Sequence, residues 1–121
     1  MAIPALFDKR LSLPLIAAPM FLASGTGLVT ACCKAGVVGT FPALNARTSE
    51  DFAQWLTEIE QDLQAYANAT GKQPAPFGVN LIVHKSNPRL EADLALCVGH
   101  KVPLIITSLG AIPSVIDAVH S

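Results

Sequence analysis

The chain has 121 residues, 51% of them hydrophobic, and its 8 basic and 9 acidic residues leave a formal charge of −1. That composition supplies the core of one ordinary domain. It offers no basic field to gather nucleic-acid phosphates, and no apolar run of the roughly 20 residues that a membrane helix needs.

The N-terminal segment MAIPALFDKRLSLPLIAAPM has no basic start ahead of a long apolar centre, and Pro14 and Pro19 interrupt its apolar run. We expect no secretion signal there. Leu15–Ala18 predicts a first strand, wholly apolar, as where both faces of a parallel sheet are covered. A Ser/Gly patch leads into a helix over Gly25–Lys34, with Ser24 as its N-cap, Leu28, Cys32 and Ala35 along its inward side, and Gly36 as its stop. Val37–Phe41 predicts the second strand. A long amphipathic helix follows over about Ser49–Ala69: Thr48 and Asp51 form a capping box, and Phe52, Leu56, Ile59, Leu63 and Tyr66 recur at helical steps. FGVNLIV, residues 77–83, is the third strand. Pro88 then opens a helix to about Val98 with Leu90, Leu94 and Cys97 inward, PLIITS (residues 103–108) is the fourth strand, and a fourth helix begins near Pro113. Its apolar side is Val115, Ile116 and Val119.

Four strands thus alternate with four helices at about 30 residues per unit, half of what an eight-unit barrel of roughly 250 residues needs. The class is α/β, either a small doubly wound sheet or half of a (β/α)8 barrel. The three cysteines, Cys32, Cys33 and Cys97, are an odd set, and the first two are helix neighbours pointing about 100° apart, poor disulfide partners. Buried reduced thiols in a cytoplasmic setting follow, and no spacing suits zinc.

GTGLVT, residues 25–30, imitates a dinucleotide fingerprint but lies too far from its strand and lacks the acidic partner some 20 residues on. The strand ends carry more chemistry, because ligands of parallel sheets sit there. Pro19 and Met20 end the first strand, where the backbone can meet a flat cofactor. Asn80 sits inside an apolar strand, and a buried carboxamide needs partners, which a ligand's N–C=O edge or hydroxyl can supply. A structural amide bonded by a neighbouring strand is the plainer alternative. His84, after the third strand, has an address suited to a base or an anion donor, as readily as to a surface histidine without a role. Ser108 shares the address with a weaker claim.

With PLIAAPM, SGTGLVTACCKAGVVGT, PFGVNLIV and VPLIITSLGA in this order, the chain resembles the N-terminal part of nitronate monooxygenases, formerly called 2-nitropropane dioxygenases. Flavin-dependent enoyl reductases share part of the pattern. The resemblance spans nearly the whole chain; at Ala35-Gly36-Val37 it departs from the Ala-Gly-Gly expected of many members. It implies half of an FMN-binding TIM barrel: four parallel βα units over residues 1–121, cut within the fourth helix. The implied parent enzyme oxidises alkyl nitronates with dioxygen. The Pro19 and Met20 backbone would lie against the isoalloxazine and Asn80 would bond the cofactor, with Ser108 nearby. No catalytic residue is expected in this chain beyond an auxiliary role for His84; the proton-abstracting histidine and the phosphate turns would belong to the other half. Such a half barrel leaves two strand edges open, so we expect a homo-oligomer or association with the missing half; a non-catalytic self-associating module, or part of a flavin-dependent enoyl reductase, is the alternative.

Overall fold

A computed structural model of the chain describes residues 4–121. Four strands, β1 (Ile16–Ala17), β2 (Val38–Pro42), β3 (Phe77–Ile82) and β4 (Leu104–Ser108), form one sheet in sequential order with every pairing parallel. Between and after them run α1 (Thr26–Lys34), α2 (Ser49–Thr70), α3 (Leu90–Gly99) and α4 (Pro113–His120). A doubly wound sheet reverses strand order at a switch point; here the order runs 1-2-3-4 without reversal. The architecture is that of half a TIM barrel.

The core lies between the sheet and its helices. Phe41, Val79 and Leu81 alternate along β2 and β3 and pack against Phe52, Leu56 and Ile59 of α2 and Val29 and Cys33 of α1. The Phe41 ring meets Phe52 edge-on, centroids 5.9 Å apart, and Trp55 at 5.7 Å, favourable aromatic geometries. One residue further along each strand, Pro42, Asn80 and Ile106 are in register with one another, and this cross-strand row belongs to the opposite, inner face, because side chains alternate along a strand.

α2 starts as its sequence predicts, with the Asp51 N–H donating to Thr48 Oγ1 at 3.0 Å, and it ends at Gly71, whose φ is +69°. α1 differs from expectation on two counts. Ser24 is not its N-cap: Gly25 is, and the Ser24 hydroxyl instead accepts the Met20 N–H at 2.8 Å. Its buried side is Val29, Thr30 and Cys33, whereas Leu28 is 40% exposed. Both stripes of this helix are small and largely apolar, so periodicity alone does not choose between them. The choice is made by β2, where a Cβ on Gly39 would stand 2.5 Å from the Val29 carbonyl oxygen; glycine lets helix and strand touch backbone to backbone.

α3 begins at Leu90, two residues later than Pro88 predicts, because Asn87 closes the preceding turn by accepting the Arg89 N–H at 3.1 Å. β1 is two residues long and Ile16 is 51% exposed, where the sequence predicts a longer strand covered on both faces. Its free edge and uncovered inner face account for the difference.

Candidate functional site

Parallel strands put all four of their C-terminal ends on one rim, and the structure places Pro19, Met20, Asn80, His84 and Ser108 there, after or near the ends of β1, β3 and β4. The sheet brings Asn80 and Ser108 together. Ile106 pairs with Asn80 and Ser108 lies two residues further on the same face, so the Ser108 hydroxyl donates to Asn80 Oδ1 at 2.6 Å. That satisfies half of the amide, as the plainer reading of Asn80 requires. The Nδ2 donors have no protein acceptor among the described residues, and the side chain is half-buried. A fixed carbonyl end thus aims a free pair of N–H groups from a strand that is otherwise apolar.

Met20 is held by its backbone. Its N–H donates to Ser24 Oγ, and its carbonyl accepts from the Ser24 N–H at 2.9 Å and from Asn45 Nδ2 at 3.0 Å. Asn45 also donates to the Ser24 carbonyl at 2.8 Å and accepts the Leu22 N–H at 3.0 Å. One carboxamide therefore clamps the whole turn after β1. Sequence reasoning missed this residue; its signal was an asparagine three residues past the end of β2, where side chains of this type commonly bond backbone in turns. The clamp leaves the side chains of the turn outside: Phe21 is 69% and Leu22 81% exposed, and Leu109, just beyond β4, is 70% exposed. Leu22 and Leu109 both hold left-handed backbone, with φ of 64° and 62°, costly for leucine.

The short helical turn that carries Asn45, Ala43–Asn45, is itself anchored. Arg89 donates to the Ala46 carbonyl at 2.7 Å and the Ala43 carbonyl at 3.4 Å, and it pairs with the fully buried Asp93 at 3.1 Å. Ser49 donates to Asp93 Oδ1 at 2.9 Å. The N-terminal ends of α2 and α3 are thereby tied to the rim by one ion pair. The Asp93 partner on α3 was not foreseen, because an acidic residue in the first turn of a helix reads as a solvated one.

His84 stays apart from this group. It is exposed, and its Nδ1 accepts the Ser86 N–H at 3.1 Å and lies 2.8 Å from Ser86 Oγ. Accepting that N–H puts a neutral imidazole's proton on Nε2, which faces away from the turn's own bonds.

A cavity of about 550 Å³ lies between α3 and α4, lined by Cys97, Val102, Ile105 and Val119. None of the rim residues lines it. Its walls come from the end of α3, the start of β4 and the end of α4, towards the amino-terminal end of the sheet. No helix among the described residues is long and apolar enough to cross a membrane.

Half of a TIM barrel with its polar groups gathered at the carboxyl rim is the class that fold and geometry define. Among solved structures the chain is similar to FabK from Thermotoga maritima, at 24% identity and a TM-score of 0.68 over 94% of this chain and 33% of that one. It is similar also to a FabK mutant from the same organism, at 24% identity and a TM-score of 0.72 over 95% of this chain and 34% of that one. The likeness is one of fold, and the chain spans about a third of the FabK length. No protein-family model and no curated protein matches the sequence.

Proposed function

We propose that the chain is the N-terminal half of a flavin-dependent oxidoreductase barrel of the nitronate monooxygenase type, with FMN at the carboxyl rim. The observation that carries the reading is the Asn80–Ser108 pair, a carboxamide fixed at one end with its N–H groups uncommitted on the inner face. These donors suit a flavin carbonyl or a ribityl hydroxyl. The exposed Met20, Phe21, Leu22 and Leu109 on the same rim offer apolar surface that a tricyclic ring would cover. The parallel sheet and the sequence resemblance support the same reading.

Within it, bound flavin would supply the redox chemistry, accepting electrons from the nitronate while dioxygen is the oxidant. The chain's own residues would position it. Asn80 would donate to the ring or its side arm, Ser108 would hold Asn80 in place, and Asn45 would keep the turn from Met20 to Ser24 in one conformation. The Met20 N–H is already bonded to Ser24, so the support from Met20 comes through its side chain and the shape of the turn.

The test is FMN titration of the purified protein, followed by flavin fluorescence, alongside nitronate-dependent oxygen uptake. Asn80→Ala should weaken FMN binding about fivefold to tenfold, the worth of one hydrogen bond of about 1–1.5 kcal/mol. Unchanged binding in that variant would remove the reading. Bleaching of bound flavin by NAD(P)H without oxygen, in place of nitronate oxidation, would move the assignment to an enoyl reductase barrel. A colourless, self-associated protein would point to a non-catalytic module.

A further inference from the structure

The opposite end of the sheet holds a second polar site that the flavin reading does not use. A cavity of about 240 Å³ is lined by Lys9, Arg10, Ser12, Lys34, Tyr66 and Lys72, among others. Four of the chain's 8 basic residues therefore meet in one hollow. Three segments that are distant in sequence build it. The Ser12 N–H donates to the Gly36 carbonyl at 2.8 Å, seating the N-terminal segment on the end of α1. Gly36 has φ of +85°, and a Cβ there would overlap the Ser12 side chain. The Tyr66 hydroxyl donates to the Lys34 carbonyl at 3.2 Å, joining α2 to the same corner. Arg10 Nε and Nη2 both donate to the Pro74 carbonyl, at 3.3 and 3.1 Å, which fixes the guanidinium in place.

Cations near helix C-termini often do no more than offset the exposed carbonyls. Lys34 is accounted for in this way and by Asp62, whose carboxylate lies 2.8 Å from its ammonium. Lys9, Arg10 and Lys72 are not: none of them has a carboxylate partner among the described residues. Arg10 is half-buried against a neutral carbonyl, and burial depresses its pKa below the ordinary value. A partly desolvated guanidinium whose described partner is a neutral carbonyl gains from a nearby anion.

We propose that this hollow binds a small phosphate-bearing anion, with Arg10, Lys9 and Lys72 supplying charge and Ser12 a hydroxyl. Its volume is below the roughly 300–1,000 Å³ of pockets that bury a whole drug-sized ligand. It suits a phosphate or pyrophosphate group, so a larger ligand would be held by its phosphate end. All the walls come from residues 9–73, and the site stands whether or not flavin binds at the other rim.

The experiment is an amide NMR titration of the protein with inorganic pyrophosphate, with inorganic phosphate and ADP as separate arms and sodium chloride of equal ionic strength as control. Saturable shifts are expected at Lys9–Ser12, Gly36, Lys72 and Gln73. Lys72→Gln and Arg10→Gln should each weaken binding about tenfold, as loss of one charge-assisted hydrogen bond does. If Arg10→Gln does not fold, a Lys9→Gln/Lys72→Gln double variant on exposed positions carries the test. Shifts that sodium chloride reproduces, or that survive undiminished in these variants, would overturn the proposal. Equal response to phosphate and ADP identifies the phosphate group as what is read; tighter ADP binding would show that the rest of a nucleotide adds contacts outside the hollow.

Discussion

The middle of the sheet and its flanks are built from similar residues and have different fates. β2 is buried at every position and β3 at four of its six, while β1 and all five residues of β4 are half-buried or exposed. LIITS in β4 is at least as apolar as VGTFP in β2. What separates them is neighbours: among the described residues β2 and β3 each have two strand partners and the α1–α2 layer behind them, whereas β1 and β4 have one partner each. An apolar run thus announces a strand, and sheet position decides how much stability it contributes.

The sharpest way to break this comparison is to truncate one residue in each region. Phe41→Ala removes a fully buried ring from between Phe52 and Trp55 and should cost about 3–5 kcal/mol. Ile106→Ala on the half-buried β4 should cost less than half as much. Urea unfolding midpoints measure both, and equal losses would mean that the flanks are as well packed as the centre.

The Arg89–Asp93 pair joins the centre to the rim, so it sharpens the comparison from a different side. Arg89→Met leaves the Asp93 carboxylate buried with Ser49 as its one side-chain partner among the described residues and should destabilise by about 3 kcal/mol. An Arg89→Met/Asp93→Leu double variant should regain part of that, since no unpaired charge remains. Gly39→Ala tests the contact between α1 and the sheet: the added methyl meets the Val29 carbonyl, and overpacking of this kind costs about 1–3 kcal/mol.

The sequence made the centre legible and left the rim half-read. Phe52, Leu56, Ile59 and Leu63 recur on one face of a 22-residue helix, and that many repeats leave one solution. In α1, nine residues with small side chains on two faces left the choice to a glycine on the neighbouring strand. At the rim, Asn80 stood out because a polar group in an apolar strand needs a partner. Asn45 did not, because an asparagine in a loop is ordinary until the loop it binds, 21 to 25 residues earlier, is placed in space. Ser24 had the right residue type for a helix cap and a better-placed donor in Met20. Local rules rank local partners, and this one lay across a turn that the sequence gives no reason to fold back.

Asn45→Ala asks whether the rim turn is an independent unit. It removes three hydrogen bonds at a half-exposed site on the rim, and global stability should fall by only about 1 kcal/mol. Amide exchange at Leu22, Ala23 and Ser24 should accelerate well beyond that of β2 and β3, since Asn45 accepts the Leu22 N–H and holds the Met20 carbonyl to which the Ala23 and Ser24 N–H groups donate. Uniform acceleration would instead make the turn part of the cooperative core.

An effect confined to alkaline pH separates the regions by their thiols. Burial pushes Cys33 up to about 11, and burial with the nearby Asp93 charge pushes Cys97 up to about 12. Both belong to the core cluster behind the sheet, while Cys32 is half-exposed on α1. In the unfolded chain each thiol loses its proton near its ordinary pKa of 9.0, and in the native protein it keeps it. Above that pH the unfolded state binds fewer protons than the native one, so stability falls as pH rises through 9 and continues to fall until the native values near 11 and 12 are reached. Below pH 9 these groups contribute no slope. Urea midpoints should therefore drop across the alkaline range, less so in Cys97→Ala than in the parent once each is compared with its own midpoint at neutral pH. Alkylation of the native protein should modify Cys32 first and leave Cys33 and Cys97 to react through opening of the core. Labelling of Cys97 as fast as Cys32 would show that the layer behind β4 opens as freely as its exposed edge, and the contrast between centre and flank would then end at β3.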